Sequence, residues 1–63
     1  KQQISSPKNR IEISNTVRDI NPGWINFGCT GRVVGIENGI VTWKNYKTGE
    51  VLQDSIEDLE KLY

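Results

Sequence analysis

The stretch Arg32-Val33-Val34-Gly35-Ile36-Glu37-Asn38-Gly39-Ile40-Val41-Thr42-Trp43-Lys44 decides the fold. Asn38-Gly39 is the favoured pair for a two-residue type I′ turn, because both central residues must take positive φ. A two-residue turn fixes the strand register. It sets Glu37 opposite Ile40, Ile36 opposite Val41, Gly35 opposite Thr42 and Val34 opposite Trp43. One face of the ribbon then carries Val34, Ile36, Val41 and Trp43. The other carries Gly35, Glu37, Thr42 and Lys44, with Val33 and Ile40 as its apolar members. This separation predicts an antiparallel hairpin with one buried face. Gly35 inside a strand predicts a bend or bulge.

Working back toward the N-terminus, Asn21-Pro22-Gly23 predicts a type II turn, with proline presetting φ and glycine supplying a positive φ. Trp24, Ile25 and Phe27 follow in an apolar loop ending at Gly28. Before the turn, the alternation of Ile11 and Ile13 predicts a strand at about 10–14. A second extended stretch is expected at about 16–19. Residues 1–9, with Ser5-Ser6-Pro7, read as a flexible basic arm or linker, and the domain as residues 10–63.

Working forward, Asn45 to Gly49 forms a loop and Glu50 to Gln53 returns as a third meander strand. Asp54 and Ser55 ahead of Glu57 and Asp58 start a capped turn. Ile56, Leu59 and Leu62 recur every third residue, which suits a short helix at 55–62. It equally suits a 3-10 turn followed by a closing strand, Leu59 to Leu62. The second option leaves less sheet edge open and is preferred.

Length and composition limit the function classes. Sixty-three residues make one small domain. One cysteine, Cys29, and no histidine exclude an internal disulfide and an intramolecular zinc site of about four Cys/His ligands. Cys29 has no histidine to activate it as a nucleophile. Glu57 and Asp58 read as a solvated, turn-starting pair, not an acid–base pair. No catalytic residue, metal or cofactor is expected. No apolar run approaches the ~20 residues of a membrane span, and an unpartnered thiol suits a reducing, cytoplasmic setting. The chain opens on Lys1, so a trimmed or processed chain, or a module of a longer protein, is expected. Net charge is zero but unevenly spread. Lys1, Lys8 and Arg10 lead the chain without an acid, whereas Asp54, Glu57, Asp58 and Glu60 outnumber Lys61 in the tail.

From Asn21 to Leu62 the chain resembles the small SH3-like barrels that include KOW-type modules. The shared parts are Gly28-Cys29-Thr30-Gly31-Arg32-Val33-Val34-Gly35-Ile36, the Asn38-Gly39 turn, Ile40-Val41-Thr42-Trp43, Thr48-Gly49-Glu50-Val51, and Ile56 through Leu62. The resemblance implies an all-β barrel of about five short antiparallel strands, with a 3-10 turn or short helix near 55–59. Peptide-binding SH3 domains, aromatic-cage readers and a tetrameric pore reductase share that architecture. The chain lacks the acidic loop and paired aromatics of the first. In place of the reductase's Val-Gln-Ile-Tyr strand it has Val41-Thr42-Trp43-Lys44.

Two binding surfaces are expected. Arg32, Lys44 and Lys47, joined by Arg10 and the loop aromatic Tyr46, suit nucleic acid or a nucleoprotein, since cations neutralise phosphates and aromatic rings stack on bases. Trp24, Ile25 and Phe27 suit a protein partner or self-association. Gly28-x-x-Gly31 has the spacing of a phosphate-approach loop, but it leads into a strand and reads as a turn needing unusual φ.

Overall fold

A computed structural model describes residues 11–63. Five strands follow in order: β1 Thr16–Asp19, β2 Thr30–Glu37, β3 Ile40–Asn45, β4 Val51–Ser55 and β5 Leu59–Lys61. A 3-10 turn, Ile56–Asp58, separates the last two. The described residues contain no α-helix, and every strand pairing is antiparallel.

The strand order β4-β3-β2-β1-β5 places β4 and β5 at opposite edges of one sheet. In a flat sheet those edges would lie about 19 Å apart, four spacings of ~4.8 Å. The 3-10 turn joining them advances only ~2 Å per residue. The sheet must therefore curl, which makes the architecture that of a small all-β barrel. The turn is also tied to both sides of the gap. Ile56 N donates to Gly39 O at 2.9 Å, and Ile20 N donates to Asp58 O at 2.9 Å. Ser55 caps the turn by accepting from Glu57 N. The 3-10 option at the C-terminal end is thus the one adopted.

The core draws on every layer of the curl. Val17 from β1, Val33 from β2, Val41 and Trp43 from β3, and Leu59 from β5 are buried, with Ile11 from the leading segment. Cys29, Leu52 and Ile56 pack against them.

Three local expectations are corrected. The hairpin turn is as expected, with Asn38 at φ 53° and Gly39 at φ 79°. The expected pairs hold from Glu37↔Ile40 to Gly35↔Thr42, but Trp43 pairs with Val33, not Val34. The irregularity lies between Val33 and Gly35, so Val34 is the extra residue of a bulge. One added residue shifts the side-chain parity of everything before it. Val33 goes into the core at 1% exposure, and Val34 stands out at 48%.

The strand expected at 10–14 is absent from residues 11–14. Asn15 accepts from Glu12 N through Oδ1 at 2.7 Å, Asn15 N donates to Glu12 O, and Ser14 adopts φ 79°. A local turn therefore wins over two alternating isoleucines. Finally, the turn at Asn21 closes through Trp24 N to Asn21 O, but Gly23 lies outside the left-handed region, so it is not type II. Asn21 Oδ1 accepts from Gly23 N at 2.9 Å, an Asx turn that removes the need for positive φ.

Candidate nucleic-acid interface

The sheet registers build the basic face. Thr16 lies opposite Arg32, Arg32 opposite Lys44, and Lys44 opposite Val51, so one row crosses four strands. Arg32 and Lys44 are both exposed. Like charges directly opposite destabilise a sheet. Neither residue forms an ion pair among the described residues, whereas Arg18 is bound to Glu60 at 2.7 Å. The bulge adds Val34 to this outer face, where it lines a depression of about 290 Å³ together with Arg32, Lys44 and Tyr46.

Tyr46 is held at two points. Its backbone N donates to Thr30 O at 3.0 Å, and its hydroxyl meets Thr16 Oγ1 at 2.9 Å. The buried Asn45 beside it fixes the loop. Its Oδ1 accepts from Lys47 N at 2.7 Å and Thr48 N at 3.2 Å, and its carbonyl accepts from Gly49 N at 2.8 Å. Gly49 sits at φ 79°, where a side chain would be strained. Tyr46 also borders a second depression of about 420 Å³ with Phe27 and Lys47.

The structure thus brings Arg32, Lys44, Tyr46 and Lys47 together around two adjoining depressions. Arg10 lies outside the described residues. Trp24, Ile25 and Phe27 are all exposed, Ile25 to 96%. Phe27 belongs to the depression beside Tyr46, and Trp24 borders a different groove. Of the Gly28-x-x-Gly31 pair, only Gly28 has positive φ, at 86°. Gly31 is required for space instead, since a Cβ there would strike Lys44 and Trp43. Cys29 is half-buried against the core.

A carboxylate group that the sequence reading did not single out gathers near the 3-10 turn. Asp19 is buried at 1% exposure. Its Oδ1 accepts from Asn21 N at 2.9 Å, and its Oδ2 has no hydrogen-bond partner. Asp54 Oδ2 accepts from Trp43 Nε1 at 2.8 Å, and Asp58 Oδ2 accepts from Trp24 Nε1 at 3.4 Å. Burial pushes the Asp54 carboxyl above its ordinary value. The Trp43 hydrogen bond opposes that shift, and the charges of Asp19 and Asp58 add to it. A carboxyl raised in the folded state stabilises fully below its unfolded value, and that contribution fades as pH rises through the folded one. Asp54→Asn keeps an acceptor for Trp43 and removes the charge. At pH 7 the variant is expected to melt above the wild type, and the two melting curves should converge as pH falls below about 3.9. Thermal melts across that range check this; a variant that melts below the wild type at pH 7 contradicts it.

The chain matches no known protein family and no curated protein sequence. Among the described residues no helix is long and apolar enough to cross a membrane, and no group of three or more His, Cys, Asp or Glu is placed to hold a metal ion.

Proposed function

We propose that the chain is a non-enzymatic binding module, an SH3-like barrel of the KOW type, that contacts nucleic acid or a nucleoprotein through Arg32, Lys44, Tyr46 and Lys47. The observation that carries this reading is the unbalanced Arg32–Lys44 pair. A fold gains nothing from two opposed cations without a carboxylate. A phosphate backbone laid along the row would turn that cost into binding energy. Tyr46 supports the reading because its ring is pinned beside the cations, where a base could stack on it. The lone thiol of Cys29 suits the cytoplasm.

Titration of the labelled chain with short single- and double-stranded DNA and RNA at low salt tests the proposal. Amide shifts are expected at residues 32, 34, 44, 46 and 47. The double variant Arg32→Ala/Lys44→Ala should lower affinity roughly tenfold and reduce the logarithmic salt slope by about two, one for each lost phosphate contact. Binding that stays undetectable at low salt would sink the reading.

A second reading rests on Ile25, exposed to 96% with Trp24 and Phe27 close in sequence. Such a loop suits a protein partner or self-association. Sedimentation that shows only monomer, with no partner retained on purification, counts against it.

A further inference from the structure

Trp24, Leu52 and Asp54 border a groove of about 210 Å³ that shares no lining residue with the two basic depressions. We propose that this groove takes an arginine side chain of a partner protein, its guanidinium laid on the Trp24 indole and its N–H groups directed to Asp54 and Asp58. The proposal is independent of the nucleic-acid reading.

Four observations carry it. Trp24 is 52% exposed, its indole N–H donates to Asp58, and it borders the groove beside Asp54. Asp54 uses only Oδ2 internally, so its second oxygen can accept. Asp19 alternates inward with Val17, and Asp54 lies opposite the buried Val41, so both face the barrel interior. The 3-10 turn that follows Asp54 is bonded to Ile20, next to Asp19, which brings the two carboxylates to one place. There Asp19 keeps a buried oxygen without a partner. Finally, no lysine or arginine forms an ion pair with Asp19, Asp54 or Asp58 among the described residues. Three carboxylates that no described lysine or arginine neutralises, beside an exposed indole, make this a place where a cation would be favoured.

The chemistry favours guanidinium. A divalent ion needs several oxygens converging at short distance, and these carboxylates do not form such a set. A guanidinium is planar, weakly hydrated, and stacks on an aromatic face while donating from its edge. Its stem would lie along the half-buried Leu52.

The test is a titration of the labelled chain with the blocked tripeptide Gly-Arg-Gly, beside the same peptide carrying neutral citrulline, its lysine counterpart, and magnesium or calcium chloride. The arginine peptide should shift the Trp24 indole N–H and the amides of Asp54 and Asp58 saturably, with Kd on the order of 1 mM. The citrulline peptide should produce no saturable shift. Trp24→Leu and Asp54→Asn should each weaken the arginine peptide about fivefold. Trp24 is exposed, and Asp54→Asn retains an acceptor for the Trp43 indole, so both variants should fold. If either does not, the arginine–citrulline comparison on the unaltered chain still decides. Equal response to citrulline, equal affinity for lysine, saturation of the same resonances by the divalent ions, or no saturable shift by about 20 mM peptide would each overturn the proposal.

Discussion

A Gly31→Ala chain is expected to be largely unfolded at room temperature. The cause is space, not φ, since Gly31 lies outside the left-handed region. Gly31 pairs with Asn45 across the β2–β3 ladder. A Cβ there would press on the Lys44 carbonyl oxygen, stand 2.8 Å from the Lys44 carbonyl carbon and lie 2.5 Å from Trp43 Cε3. Two of those atoms are backbone and cannot rotate away. The third belongs to the largest side chain of the core, which has no exposed area to move into. Relief requires parting β2 from β3. Overpacking costs of this kind run to about 3 kcal/mol or more, and a domain this small holds only about 3–5 kcal/mol in all. Gly35→Ala supplies the control. Its Cβ would meet only Thr42 Cβ, at 3.8 Å, an ordinary contact. Urea denaturation followed by circular dichroism should show a cooperative transition for Gly35→Ala and none for Gly31→Ala. A Gly31→Ala chain with near-normal stability would mean that β2 and β3 are not this close.

Trp43→Ala should have a similar outcome for the opposite reason. Trp43 is fully buried and packs across the ladder from Val33. Truncation removes the centre of the core, at about 3–5 kcal/mol. It also removes the indole N–H that Asp54 Oδ2 accepts. Trp43→Phe separates these two losses. It keeps most of the apolar volume and loses only the hydrogen bond and part of the ring, so it should fold with a stability lower by about 1–2 kcal/mol. The remaining indole, Trp24, reports the unfolding of both variants by fluorescence. A Trp43→Ala chain as stable as Trp43→Phe would place the core elsewhere.

The parts of the fold legible in the sequence were those set by nearest neighbours. Asn38-Gly39 specified a turn whose two dihedrals leave almost no other choice, and the pairs beside it followed. The register failed just beyond Gly35, at Val34, because a bulge is decided by the closure of the whole sheet. Gly35 marked the place without saying which neighbour would be extruded. The N-terminal strand failed because Asn15 closes a local turn on Glu12, although Ser14 N still reaches Val33 O in β2. At the basic face, the turn-fixed register set Arg32 and Lys44 on opposite faces of the ribbon, and only the bulge at Val34 pairs them. The role of Asn45 was hidden, since its bonds to Lys47 and Thr48 depend on a loop path that composition does not set. The carboxylate group was hidden more deeply. Asp19, Asp54 and Asp58 come from three separate elements, and only the curl of the sheet unites them.

That curl also sets the order in which the molecule can be made. The β2–β3 hairpin joins residues close along the chain and needs little loop closure. The pairing of Val17 with Lys61 and of Asp19 with Leu59 joins the first strand to the last. During synthesis β1, β2 and β3 leave the ribosome well before β5, and until residue 61 emerges β1 presents an open edge with Val17 beside it. The barrel therefore completes only after its last strand is released. In that interval the exposed edge of β1 is the place where a nascent chain would pair with a neighbour instead of itself.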